Sequence, residues 1–281
     1  MHKSKYQQVR QTSGIMVSVA WANHIKYRLK YLSSYLNSGA WIRHISKWAM
    51  VGLFISSISC LSPNRLTMYK HFTGQSDCIE GIDISHHQKT IDWGQLTPDR
   101  SGKQFIIAKA TEGATYQDPM FIAYAKHAWA AGFRKIGAYH FLRFGSSLLK
   151  DQMKNFISQI EALKAVLPDL REPIIALDIE EHKGAKYDLV QSVTEESVRL
   201  LEDSNITPFI YTRTSFWDTY VSETPDIVKA CPLWIARWRA TQPKPDELPN
   251  GWDSWKIWQY TDQGQVPGIA GPVDLNKMKI V

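Results

Sequence analysis

The chain reads as an α/β protein, most simply a (β/α) barrel, on three observations. Short apolar runs alternate with helix-period segments from residue 77 onward, the pattern of strands sheathed by helices. The polar residues of that region gather at the carboxyl ends of the apolar runs, where a barrel keeps its chemistry. The 281 residues are 44% apolar, ample for a buried core, which excludes a disordered chain. Helices thin out over the final third, so regular alternation is expected to fail there.

Residues 79–85 read as the first strand, with Asp83 near its end, and residues 105–110 as the second, running out toward Lys109 and Glu112. Asp118 and Pro119 look like an N-cap followed by proline at the first helical position. Phe121, Ile122, Ala125, Ala128 and Trp129 then share one helical face, and Gly132 closes the helix. Residues 136–141 form the third strand, with Tyr139 and His140 near its end. Leu149, Met153, Phe156, Ile157, Ile160 and Leu163 make the stripe of a long amphipathic helix that stops before Pro168. Residues 173–181 are the fourth strand, an apolar run short enough to be buried on both faces. A helix over 194–203 carries acids in its first turn, as the helix dipole favours. Residues 208–212, 232–236, 255–260 and 273–275 complete eight strands, and residues 241–251, with three prolines, are a loop.

Charge divides the chain unevenly. Residues 1–76 hold ten Lys and Arg and no acid, which leaves residues 77–281 with 23 basic and 27 acidic side chains. The net charge of +6 therefore belongs to an N-terminal extension, and the body carries no basic footprint for nucleic acid. Residues 1–47 read as a basic cytoplasmic leader, 48–64 as a signal or signal-anchor of 17 uncharged residues, and 65–76 as a linker. The positive flank lies upstream, so a cytoplasmic N-terminus and an exported body are expected, with membrane association through that segment. Cys60, at the end of the apolar stretch, sits in a degenerate lipoprotein-like context. With Cys78 and Cys231 it gives three cysteines, too few for a disulfide scaffold; one bridge is open to an exported chain, its partners unassigned.

The densest chemistry lies in Leu177-Asp178-Ile179-Glu180-Glu181. On a strand, residues two apart face the same side, so Asp178 and Glu180 project together and Glu181 points away. Two carboxyls in one partly dry mouth cannot both ionise cheaply, and their pKa values are pushed apart into an acid and a charge-bearing base. Strand-end placement adds Asp83, Glu112, His140, Tyr211, Gln259 and Asp274 to the same mouth. Aromatics accompany the acids: Tyr116, Tyr139, Phe141, Trp217, Trp234, Trp238, Trp255, Trp258 and Tyr260. Eleven tryptophans are more than one core needs, so about half are assigned to packing and the rest to stacking on sugar rings. Acids with aromatics in a cleft suit glycoside hydrolysis, in which one carboxyl protonates the leaving oxygen and another supports an oxocarbenium-like centre. No G-x-S-x-G elbow and no phosphate-cradling glycine motif occurs. His86 and His87 are adjacent rather than i,i+4, which leaves a metal-dependent polysaccharide deacetylase as a weaker enzyme alternative. A non-catalytic domain that binds its polysaccharide is the alternative from another class.

Gly81-Ile82-Asp83-Ile84-Ser85-His86-His87-Gln88 followed by Ile91-Asp92-Trp93 resembles the opening of glycoside hydrolase family 25, the Chalaropsis-type lysozymes. The segments around Lys109–Gly113, Gly137–Phe141, Leu177–Glu180, Ile210–Thr212, Leu233–Trp238, Trp258–Tyr260 and Val273–Asn276 continue the resemblance in order, across about residues 79–278. The resemblance implies a muramidase on an irregular barrel of eight strands and about five helices, occupying 77–281. It also implies cleavage of the β-1,4 bond between N-acetylmuramic acid and N-acetylglucosamine in peptidoglycan. Glu180 would be the general acid and Asp178 the support for the acetamido group or a water, a D-x-E arrangement that favours acetamido participation with retention. Asp83 and Asp274 would complete the acid set. Glu112, Tyr116, Tyr139, His140, Tyr211, Trp238, Gln259 and Tyr260 are the expected substrate contacts. No cofactor or metal is called for, and a monomer is expected.

Overall fold

The computed structural model describes residues 77–145, 148–183 and 187–280. The leader, the apolar segment, the linker and Cys60 lie outside the described residues.

All eight expected strands form, and they close into a barrel. The strands are β1 (Cys78–Ile84), β2 (Phe105–Glu112), β4 (Lys135–Phe141), β5 (Ile174–Asp178), β6 (Phe209–Thr212), β7 (Leu233–Ala236), β8 (Ile257–Gly264) and β9 (Val273–Lys279). A two-residue strand that sequence reasoning missed, β3 (Tyr116–Gln117), folds back on the end of β2 as a hairpin. Neighbours pair in parallel from β1 through β2, β4, β5, β6, β7 to β8. The ring is sealed by β9, which runs antiparallel to both β8 and β1. Six α-helices are described: α1 (Pro98–Ser101), α2 (Phe121–Ala130), α3 (Leu149–Val166), α4 (Tyr187–Glu202), α5 (Thr214–Tyr220) and α6 (Asp226–Lys229). Between β7 and β8 there is only a 3-10 turn (Pro245–Glu247), and β8 leads to β9 without a helix. That is the expected loss of alternation, and it is why β9 can return antiparallel.

Several local expectations shift. Helix α2 begins after Met120, not at Pro119. Asp118 instead shapes the preceding turn, its Oδ1 accepting from the Met120 amide (2.9 Å) and its carbonyl from that of Phe121 (3.2 Å). Helix α4 begins at Tyr187, so Glu195 and Glu196 fall in its middle and not in a first turn. Strand β5 ends at Asp178, which leaves Glu180 in the loop beyond it. Cys231 is buried as a thiol that donates to the Ile227 carbonyl (3.5 Å), so it takes no part in a bridge.

Alternation along the strands sorts side chains into two cores. Phe105, Ile107, Ile174, Ala176, Trp234, Ile257 and Met278 fill the barrel interior. Ile106, Ala108, Ala138, Ile175 and Leu177 face outward against Phe121 and Ala125 of α2 and Met153, Phe156, Ile160 and Leu163 of α3. Where no helix covers β8 and β9, Trp255, Trp258 and Tyr260 shield the outer face, and Lys277 and Lys279 lie over their rings. None of the described helices is long and apolar enough to cross a membrane.

The interior is close-packed to the point of needing glycine. A Cβ on Gly81 would stand 2.4 Å from the Phe105 ring, so β1 can approach β2 inside the barrel only without a side chain. Overpacking of this kind costs about 1–3 kcal/mol. Gly81→Ala is therefore expected to lower unfolding stability by that amount in urea denaturation, with an unchanged m-value.

Candidate active site

The polar layer sits directly above the apolar plug, on the same inward-facing positions. On β1, Gly81 is followed by Asp83; on β5, Ala176 by Asp178; on β8, Ile257 by Gln259; on β9, Met278 is preceded by Asn276 and Asp274. Asp83 and Asp274 are direct partners across the antiparallel β1–β9 pair, and their carboxyls are hydrogen-bonded to each other. Asp83 Oδ2 also accepts from Asn276 Nδ2 (2.7 Å) and Gln259 Nε2 (3.0 Å). Those amides are held in turn: Trp234 Nε1 donates to Asn276 Oδ1 (2.8 Å), and Trp238 Nε1 (2.9 Å) and Tyr211 Oη (3.1 Å) donate to Gln259 Oε1. Asp178, 6% exposed, has an Oδ1 that is buried without a hydrogen-bond partner in the protein.

Glu180 is positioned by backbone around it. The Leu142 amide donates to the Asp178 carbonyl (3.0 Å), the Ile179 amide to the Tyr211 carbonyl (2.9 Å), and Thr212 Oγ1 to the Ile179 carbonyl (2.8 Å). Arg213 Nη2 reaches the Glu180 carbonyl at 3.4 Å. The loop is tied to the rim through Glu181, which pairs with Arg143, and Arg143 also holds Glu112. Glu112 in turn accepts from Lys109 Nζ (2.6 Å). Residues three apart cannot meet on a regular strand; a bulge between Lys109 and Thr111 turns both Lys109 and Glu112 toward the mouth.

All four acids hold their protons above the ordinary range. Burial is the largest cause in each. The charge of Glu180 adds to it for Asp178, which lies well above its usual value. For Glu180 the nearby Arg213 opposes the rise and Asp83 adds to it. Asp274, facing Asp83 and hydrogen-bonded to it, is pushed up to about 9. Glu112 behaves oppositely: burial pushes it up, but the hydrogen bonds from Lys109 and Arg143 bring it below the usual carboxylate range.

The expected contact residues divide by which strand face they occupy. Tyr139 and Tyr211 point into the barrel among the acids, and burial raises both phenols. Gln259 is in the acid network. Trp238, 52% exposed, stands at the rim over Gln259. Tyr116, on β3, offers an exposed ring and bonds His86 Nδ1 (3.1 Å). Glu112 is at the mouth but engaged in its ion pairs. Two residues are not brought there. His140 faces outward, fully buried beneath α3, between Thr111 Oγ1 (2.7 Å) and Gln152 Oε1 (3.4 Å) and against Phe156. Tyr260 lies on the outer face of β8, packed on Trp258, with its hydroxyl 3.5 Å from Glu80. Each sits one residue off the inward-facing register. Of the tryptophans expected beside the acids, Trp217, Trp255 and Trp258 are buried in the outer core, and Trp234 in the barrel.

Sequence reasoning left Asn276, Lys109, Arg143 and Arg213 without a role. Asn276 was findable, being two residues beyond Asp274 on the same strand face. Arg143 and Arg213 follow strand ends, where period-2 patterning gives no direction. Among the described residues no group of three or more His, Cys, Asp or Glu is placed to hold a metal ion.

The raised carboxyls have a consequence for stability. A group whose folded pKa exceeds its unfolded value stabilises fully below the unfolded value and loses that contribution as pH rises through the folded one. For Asp274 the window runs from 3.8 to about 9. The urea midpoint is expected to fall between about pH 5 and about pH 8, and Asp274→Asn to flatten that dependence. An unchanged slope in the variant would show that the acid is not buried as described.

The family model for glycosyl hydrolases family 25 matches residues 82–269. Lysozyme M1 of Streptomyces globisporus is 32% identical over 206 residues, covering 71% of this chain and 67% of that protein. The crystal structure of the bacterial lysozyme from Streptomyces coelicolor superposes with a TM-score of 0.60 at 29% identity, covering 71% of this chain and 91% of that one. A family GH25 lysozyme from Aspergillus fumigatus gives 0.59 at 28% identity, covering 72% and 93%.

Proposed function

Because the chain belongs to glycosyl hydrolases family 25, we propose that it cleaves the β-1,4 bond between N-acetylmuramic acid and N-acetylglucosamine in peptidoglycan, with Glu180 as general acid. The chain is a glycosidase of the muramidase kind. The observation that carries the assignment of roles is the pairing of a proton-retaining Glu180 with an Asp178 whose buried oxygen lacks a partner.

Glu180, at the open end of β5, keeps its proton to higher pH than an ordinary glutamate and delivers it to the glycosidic oxygen as the bond to the anomeric carbon breaks. Positive charge then grows at that carbon, on the side where Asp178 waits. The free oxygen of Asp178 accepts either the N–H of the substrate's acetamido group or a water; the first option lets the acetamido oxygen close on the anomeric carbon and retains its configuration. The resulting Glu180 carboxylate takes the proton of the water that completes hydrolysis. Asp83 and Asp274 shape the field beneath the sugar. Asp274 lies five residues past the matched family region, so its place in the set rests on its register opposite Asp83. Trp238 and Tyr116 supply exposed faces on which a pyranose can stack.

The leader, the 48–64 segment and the acidic body favour an exported enzyme held at the envelope, with its barrel outside the cytoplasm and acting as a monomer. The full chain is expected to release fragments ending in reducing N-acetylmuramic acid from purified peptidoglycan. Glu180→Gln should lower kcat by about 100- to 10,000-fold while sedimentation with the polymer persists. Wall binding without new reducing ends from the parent chain would assign it instead to the binding proteins, and parental activity in the variant would remove Glu180 from its role.

A further inference from the structure

The acid pair Asp83–Asp274 shares one hydrogen bond, and its surroundings decide which partner owns the proton. An indole N–H can only donate, so the Asn276 atom that meets Trp234 Nε1 at 2.8 Å must be the amide oxygen. The Asn276 NH2 group is thereby aimed at Asp83 Oδ2 (2.7 Å). The same reasoning applies to Gln259: Trp238 Nε1 fixes its oxygen, aided by the Tyr211 hydroxyl, and directs its NH2 at the same Asp83 oxygen (3.0 Å). Neither amide can flip without setting two donors or two acceptors face to face. One oxygen of Asp83 thus receives two N–H donors, the setting that favours a carboxylate.

We propose that Asn276 and Gln259 are positioning residues, locked by Trp234, Tyr211 and Trp238, that lodge the shared proton on Asp274 and keep Asp83 anionic. Asp274 then donates its O–H to Asp83, and the site presents a fixed negative charge on the β1 side and a neutral acid on the β9 side. The charged neighbours sharpen the assignment. Those acting most strongly on Asp274 are Asp83, Asp262 of β8 and Glu180, all acidic. Asp178 of β5 and the hydroxyls of Tyr139 on β4 and Tyr211 on β6 also face the pair. The cation of β2, Lys109, acts on Asp178 and Glu180. Two carboxylates side by side amid further acids are costly, so one proton stays, and the amide donors choose where.

Exposure adds a link to substrate. Trp238 is both a rim platform and one of the two donors that orient Gln259. A sugar stacked on its ring keeps that indole in place, and with it the charge on Asp83.

The test uses the full chain with aspartate labelled by carbon-13 at the side-chain carboxyl. Asp83 and Asp274 are assigned by the signal each Asn variant loses, and titrated without substrate. The expected result is an ionised Asp83 at neutral pH and an Asp274 that titrates in the alkaline range. In Trp234→Phe, which keeps a ring but removes the donor to Asn276, the Asp83 signal should move toward the protonated position, with kcat falling and KM unchanged. An Asp83 that is protonated at neutral pH, or signals unmoved in Trp234→Phe, overturns the proposal. A second reading is kinetic: Asn mimics a neutral acid, so Asp83→Asn should lower kcat at least about tenfold more than Asp274→Asn, and the reverse order overturns it. The proposal deepens the muramidase reading, but the proton's location is measured without catalysis, so an inactive chain would still decide it.

Discussion

The direction of one strand governs this site. Because β9 enters antiparallel between β8 and β1, Asp274 lands opposite Asp83 and Asn276 opposite both Gln259 and Gly81. A slip of one residue would turn Asp274, Asn276 and Met278 outward together. The acid pair, one of its amide donors and part of the interior plug are therefore fixed by a single register. Beneath them the Phe105 ring fills the space that Gly81 vacates, so the plug resists such a slip.

Two populations of carboxyl coexist within a few residues. On the barrel floor, Asp83, Asp178, Glu180 and Asp274 are desolvated, and burial raises the pKa of each. At the rim, Glu112 and Glu181 are ionised partners of Lys109 and Arg143. The difference lies in the nearest cation, since the side chains are the same chemistry. The rim chain ties the ends of β2, β4 and β5 together, and helix α3 braces it from behind. Gln152 bonds the Arg143 amide (3.0 Å) and carbonyl (2.7 Å), while Asn155 holds the Gly113 (3.2 Å) and Tyr116 (3.0 Å) carbonyls. Glu180 is thus set in a loop that is stiffened on both sides.

Much of this was legible in the sequence. The eight strands were marked by apolar runs that end in polar residues, and the strand-end rule collected the acids without reference to any family. Four kinds of feature were hidden. Bulges shift the alternation by one, so the meeting of Lys109 with Glu112 could not be read from spacing. The outer face of a strand end looks like the inner face in one dimension, which is why His140 and Tyr260 were grouped with the cleft. Short helices such as α5 and α6 bury too few positions to show a period. Buried polar residues on the apolar stripe of α3, Gln152 and Asn155, were masked by the hydrophobic neighbours that define the stripe.

The partners of Asp83 come from far along the chain: Gln259 is 176 residues away and Asn276 is 193. Bonds over such separations need nearly all of the intervening polypeptide to be present, and the entropy of closing so long a loop comes before any reward from the contact. The charge-bearing floor is therefore among the last features of the molecule to be assembled. A chain without β8 and β9 lacks both amide donors to Asp83. Topology thus ties the surroundings of Asp83 to the sealing of the ring by β9.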